Sequence, residues 1–156
     1  MPALIVLRHA KAESPLGTPD FERPLAARGR SDARAAGDEL RAVGRVPDHV
    51  ICSPALRTRQ TLEELRFGAT VEFDDRVYDN DPEAILDLLR ARPDEPGTLL
   101  LVGHNPSMHR LVLDLGGAGD EGFPTAATAV IEFDGEWSDL WPGAGRLASY
   151  WTPRAR

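Results

Sequence analysis

Cysteine, lysine and long apolar runs are nearly absent from this chain. The single cysteine among its 156 residues, Cys52, excludes an intramolecular disulfide and fits a reducing compartment. No stretch approaches the ~20 apolar residues that a membrane-spanning helix requires. The apolar run at the N-terminus is too short for the core of a secretory signal, so the expected location is the cytoplasm. An excess of basic charge is missing too: the net charge is −7. Such a surface repels nucleic acid and anionic membranes, and neither is expected as a partner. Lys11 is the one lysine, and every other cationic side chain is an arginine. Arginine presents a rigid fork of donors suited to phosphate and carboxylate. No internal repeat or low-complexity segment interrupts the chain, and its length fits a single domain over 1–156 with a real core.

The most informative stretch is the first ten residues. Ala3 to Leu7 reads Ala-Leu-Ile-Val-Leu, the pattern of a strand buried on both faces. It stops at Arg8-His9, which puts a permanent cation and an imidazole at the carboxyl end of a strand, where α/β sheets bind ligands. A proline- and glycine-containing loop follows, carrying Asp20 and Arg23. Ala33, Ala36, Gly37, Leu40 and Val43 then recur at helical spacing, with Gly44 as a stop.

His49 to Cys52 reads as a second strand. Ser53-Pro54 has the form of a helix cap followed by proline at the first helical position. The helix this opens runs to Leu65 and carries Arg57 in or near its first turn, beside unpaired backbone N–H groups that attract anions. Thr70 to Phe73 is a third strand. Asp81-Pro82-Glu83 repeats the cap-then-proline signal before an apolar face of Ile85, Leu86, Leu88 and Leu89. Thr98 to Val102 is another buried strand, and it too ends at a histidine, in Gly103-His104-Asn105-Pro106. Asn105-Pro106 gives a third helix start. A glycine-rich loop over 116–125, a strand over Thr128 to Phe133, a turn at Asp134-Gly135 and a last strand over Arg146 to Trp151 complete the chain. Trp137 and Trp141 are expected to cover the sheet. Strands alternating with helices make the fold class α/β, with a mostly parallel central sheet.

Three motifs occur in order: Leu7-Arg8-His9-Ala10, Ser53-Pro54-Ala55-Leu56-Arg57-Thr58-Arg59-Gln60-Thr61, and Gly103-His104-Asn105-Pro106. Together they resemble the histidine phosphatase superfamily, whose phosphoglycerate-mutase-like fold implies a three-layer α/β/α sandwich on a mostly parallel central sheet with an antiparallel C-terminal strand. The short length and the segment Asp20-Phe21-Glu22-Arg23-Pro24-Leu25 resemble its SixA-like branch of phosphohistidine phosphatases. Ala10 stands where the superfamily usually has glycine, a change common in that branch.

The resemblance implies a phosphatase working through a covalent phosphohistidine on His9. Arg8 and Arg57 would clamp the phosphoryl oxygens and His104 would donate a hydrogen bond to them. Arg23, Asp20 and Asn105 would contribute to substrate binding, and Asp20 and Glu83 are the candidates for a general acid. No metal or other cofactor is implied, because arginines supply the positive charge. The expected substrate is a phosphohistidine on another protein. The alternatives are a small phosphorylated metabolite or a non-catalytic phosphate-binding module on the same fold.

The residues agree with these roles. Phosphoryl transfer leaves a protein mainly positioning and charge stabilisation to supply, and neutral imidazole is a competent nucleophile near neutral pH. Two rival chemistries fit less well. The spacing from Cys52 to Arg57 is one residue shorter than cysteine-dependent phosphatases use. A metal hydrolase built on His9, His104, His49 and Asp48 lacks the helical histidine spacing of metal motifs.

Overall fold

The structure is a computed structural model that describes residues 2–92, 97–117 and 122–153. Its centre is a six-stranded sheet of order β3-β2-β4-β1-β5-β6. The strands are β1 (Ala3–Arg8), β2 (His49–Cys52), β3 (Thr70–Phe73), β4 (Thr98–Gly103), β5 (Thr128–Phe133) and β6 (Gly145–Trp151). β3, β2, β4 and β1 are mutually parallel. β5 lies antiparallel against β1, and β6 antiparallel against β5.

Alternation along β1 shows why the sheet needs helices on both faces. Leu4 and Val6 point into one cluster with Leu99, Leu101, Ala129 and Ile131. Ala3, Ile5 and Leu7 point into the other with Val50, Leu100 and Val102. The first face is covered by α4 (Pro82–Arg90) and α5 (Ser107–Gly116) through Ile85, Leu89, Leu111 and Leu115. The second is covered by α1 (Ala27–Ala42) and α2 (Leu56–Leu65) through Ala36, Leu40 and Leu65. Each fully buried leucine or isoleucine contributes about 1.5–3 kcal/mol relative to exposure. Both faces of the central strands are therefore committed to the core, and chemistry is left to the strand ends.

Most sequence expectations stand, with local corrections. Ser53 does not cap α2, which begins at Leu56 with Ala55 at the cap and no side-chain cap bond. Proline at position 106 occupies the cap of α5 rather than its first turn. Asp81 does cap α4, accepting from the Glu83 N–H. Val43 lies just beyond α1 and is exposed. Trp137 is fully buried edge-on to Phe133, but Trp141 is exposed beneath the Arg90 guanidinium. A five-residue helix, α3 (Asp75–Asp79), fills a segment in which the sequence pattern showed nothing. Positions 118–121 of the glycine-rich loop lie outside the described residues.

Candidate active site

The sheet register brings the two histidine motifs together. Arg8 pairs with Gly103 at the carboxyl ends of β1 and β4, and the His9 N–H donates to the Gly103 carbonyl at 3.0 Å. His9 and His104 then leave neighbouring strands at the same level, with ring centroids 5.2 Å apart. Gly103 is required at this junction, because a Cβ there would lie 2.9 Å from Val77 and Met108 side-chain carbons. Gly29 lets α1 press against the loop after His9, where a Cβ would sit 2.1 Å from the Lys11 carbonyl oxygen.

A cavity of about 500 Å³ opens above these strand ends. Arg8, His9, Asp20, Arg23, Arg57, His104 and Asn105 all line it, so seven expected site residues converge there. Glu83 does not: it stands in the first turn of α4, beside a separate depression with Leu86 and Arg110. The sequence missed Tyr78, Asp79 and Asn80, which also line the cavity and come from α3 and its cap. Asn80 sits in the left-handed region at φ +65°. It donates to the Asn105 carbonyl at 2.6 Å and accepts from the Ser107 N–H at 3.1 Å, tying α3 to the loop that carries His104. An asparagine ahead of Asp-Pro was the one sequence signal for it. Tyr78 left no signal.

His9 is held as a neutral imidazole. Its Nδ1 lies 2.8 Å from the Ala10 carbonyl oxygen. A carbonyl can only accept, so Nδ1 carries the ring proton and Nε2 keeps the lone pair. Burial pulls the imidazole down to about 3, assisted by His104, Arg57 and Arg8 and opposed by the Ala10 bond. His104 falls to about 4, again chiefly by burial, with the Arg57 charge next. Its Nε2 lies 2.8 Å from Ser53 Oγ. The Ala10 N–H donates to Thr61 Oγ1 at 3.0 Å, and that hydroxyl donates to the Arg57 carbonyl at 2.7 Å. This short relay fixes the loop after His9 to α2.

The arginines are braced but not saturated. Arg8 donates through Nη1 to the Phe123 carbonyl at 3.3 Å, and Asn105 donates to the same oxygen at 2.8 Å. Arg57 donates to the Asp20 backbone oxygen at 2.7 Å and to its Oδ2 at 3.1 Å. Arg8 Nε, Arg57 Nε and His104 Nδ1 are buried with no partner among the described residues. Buried polar atoms are seldom left without partners, and two guanidinium donors beside an imidazole nitrogen in one cavity suit a tetrahedral oxyanion with several oxygens.

Asp20 is a different kind of group. Burial alone would raise its carboxyl, but hydrogen bonds from Tyr78 (2.8 Å), Arg23 (3.1 Å) and Arg57 outweigh this and hold it at about 2. It stays ionised and organises the arginines, which does not suit it to giving up a proton. Of the rival centres, His49 lies at the opposite end of β2, with its Nε2 3.6 Å from the Glu72 carboxylate. Cys52 is fully buried, and burial pushes its thiol up to about 12, so neither joins His9.

A buried histidine pair ringed by arginines at parallel strand ends is the arrangement of a phosphoryl-transfer site. The chain belongs to the histidine phosphatase superfamily (branch 1), whose family model matches residues 4–82. Within it the chain falls in the SixA-like branch, and it is a phosphatase. It is 36% identical to the uncharacterized protein Rv1276c of Mycobacterium tuberculosis, across 95% of this chain and 100% of that one. A structure named for the phosphohistidine phosphatase SixA from Nakamurella multipartitia superposes with a TM-score of 0.88 at 35% identity, covering 99% and 97% of the two chains. The protein histidine phosphatase SixA complexed with tungstate matches at a TM-score of 0.83 and 25% identity, with 97% of each chain covered. No helix among the described residues is long and apolar enough to cross a membrane.

Proposed function

We propose that this phosphatase removes the phosphoryl group from phosphohistidine displayed on another protein, through a covalent intermediate on His9. In the first transfer the Nε2 lone pair of His9 forms a bond to phosphorus. The substrate reacts with its other ring nitrogen protonated, so that when the bond from phosphorus to the leaving nitrogen breaks, the electron pair stays on that nitrogen and a neutral imidazole departs. In the second, a water oxygen bonds to phosphorus as the phosphorus–Nε2 bond breaks, releasing inorganic phosphate and restoring His9. The water proton leaves with phosphate and solvent. Arg8, Arg57 and His104 supply donors to the oxygens whose charge is redistributed in both steps.

The observation that carries the substrate assignment is the set of donors on the Asp20 carboxylate, from Tyr78, Arg23 and Arg57. Asp20 is the carboxylate bonded to the pocket's arginines, and it is held at about 2. An alkyl phosphate departs as a strongly basic alkoxide and needs a proton from a general acid, help worth ~10²–10⁴-fold. A phosphohistidine protonated on its other ring nitrogen instead releases neutral imidazole, whose conjugate acid lies near ~6.5, and needs no further proton. The similarity to SixA structures points the same way.

The test compares catalytic efficiency on a phosphohistidine-bearing protein, an aryl phosphate and a panel of sugar and glycerate phosphates. The expected order is phosphoramidate first, aryl phosphate second and alkyl phosphates last. Equal or better turnover of an alkyl phosphate would replace this reading with that of a metabolite phosphatase.

A further inference from the structure

Ser53 has lost the role its sequence context suggests and has acquired another. It is fully buried between β2 and α2. Its carbonyl is held by the Thr58 hydroxyl at 2.8 Å and the Cys52 thiol at 3.3 Å, which fixes the backbone from which the side chain projects. Its Oγ has two partners among the described residues: the Ala55 N–H at 3.3 Å and His104 Nε2 at 2.8 Å.

The first of these contacts has a known direction, since a backbone N–H can only donate. The hydroxyl hydrogen then has a single acceptor within reach, the ring nitrogen of His104. A neutral imidazole that accepts at Nε2 must carry its hydrogen on Nδ1. That nitrogen is buried and has no partner among the described residues. It is also the one nitrogen of His104 left for a ligand. With the opposite tautomer, Nε2 would donate to Ser53, the serine hydrogen would be stranded in the interior, and Nδ1 would offer a lone pair to an anion.

We propose that Ser53 is a positioning residue that sets the tautomer of His104, so that the second pocket histidine meets the phosphoryl group as an Nδ1–H donor. Ser53 touches no substrate and acts only through His104. The consequence for turnover rests on the phosphatase reading above. The tautomer itself does not.

The test is a long-range proton–nitrogen correlation spectrum of the full chain carrying nitrogen-15 histidine, at neutral pH. His104 is assigned by the signal lost in His104→Gln. In the wild type, His104 is expected to show the pattern of an Nδ1–H tautomer. In Ser53→Ala the population should move toward Nε2–H, and inorganic phosphate should bind about tenfold more weakly, the worth of roughly one hydrogen bond. A wild-type spectrum with Nε2 protonated overturns the proposal, and it needs no variant to fold. An unchanged spectrum and unchanged phosphate affinity in a folded Ser53→Ala also overturn it. If every substrate fails to turn over while the wild-type spectrum shows Nδ1–H, the assignment of Ser53 stands and the phosphatase reading falls.

Discussion

Arg57 grips Asp20 at two points, with Nη1 on the backbone oxygen at 2.7 Å and Nη2 on the carboxylate at 3.1 Å. A guanidinium that should hold phosphoryl oxygens is thus oriented by a neighbouring anion, which also opposes the arrival of another anion. At an effective dielectric of ~20, two unit charges about 6 Å apart interact by roughly 3 kcal/mol, more than the ~1.5 kcal/mol that a charge-assisted orienting hydrogen bond contributes at the lower end of its range. Repulsion therefore wins, and Asp20→Asn should bind inorganic phosphate about tenfold more tightly in calorimetric titration. Weaker binding in this variant would show that Asp20's orienting role dominates.

The same contact separates geometry from charge at Arg57. Arg57→Lys keeps the cation but loses the two-pronged donor set, so catalytic efficiency should fall on the order of 10²-fold, like the loss of one preorganised donor. Arg59, two positions along α2, donates to the Pro54 carbonyl at 2.9 Å and does not line the cavity, and Arg59→Lys should be nearly silent. Equal losses at the two positions would mean that the arginines act as a diffuse field.

Much of this site was legible because its chemistry sits at strand ends. The apolar runs Ala3 to Leu7 and Thr98 to Val102 announced buried strands, and the histidines that follow them marked the edge of the sheet where the cavity opens. What stayed hidden depended on three-dimensional closure. Ser53 carries the local signature of a helix cap, but Ala55 occupies the cap and leaves the hydroxyl to His104. Tyr78 reaches the pocket from a five-residue helix with no apolar period to betray it. The fate of Asp20 could not be read either, because the arginine and tyrosine that ionise it are remote in sequence.

Protonation gives a third expectation. His9 and His104 are held at about 3 and about 4 against 6.5 for the free side chain. Between these values the unfolded chain binds more protons than the folded one. Stability is therefore complete above ~6.5 and declines as pH falls toward the folded values, by about 2 kcal/mol per histidine at about pH 5. Asp20, lowered from 3.8 to about 2, still contributes fully at that pH and loses its share only in stronger acid. Urea denaturation should show a lower midpoint at about pH 5 than at about pH 7.5. A nuclear magnetic resonance titration over the same range should find neither pocket histidine protonating, and an inflection near ~6.5 for His9 would contradict its burial as a neutral base.

Packing behind the nucleophile supplies a fourth. A methyl at Gly29 would collide with the Lys11 carbonyl oxygen at 2.1 Å, whereas one at Gly68 would meet nothing within 4 Å. Gly29→Ala should cost about 3 kcal/mol, or roughly 6–12 °C in Tm for a domain of this size, and should reduce turnover by displacing the loop that carries Ala10. Gly68→Ala should melt within about 2 °C of the parent, since surface changes of this kind are usually small. Similar melting of the two variants would mean that α1 yields easily at this contact.

The central claim is that His9 Nε2 takes the phosphoryl group. The most direct measurement is rapid acid-free quenching after brief exposure to labelled substrate, followed by peptide mapping under alkaline conditions that preserve phosphoramidates. The account predicts a base-stable, acid-labile phosphoryl group on His9, absent in a folded His9→Ala variant that no longer turns over. A label on Cys52 or Ser53, or undiminished turnover by His9→Ala, would contradict it.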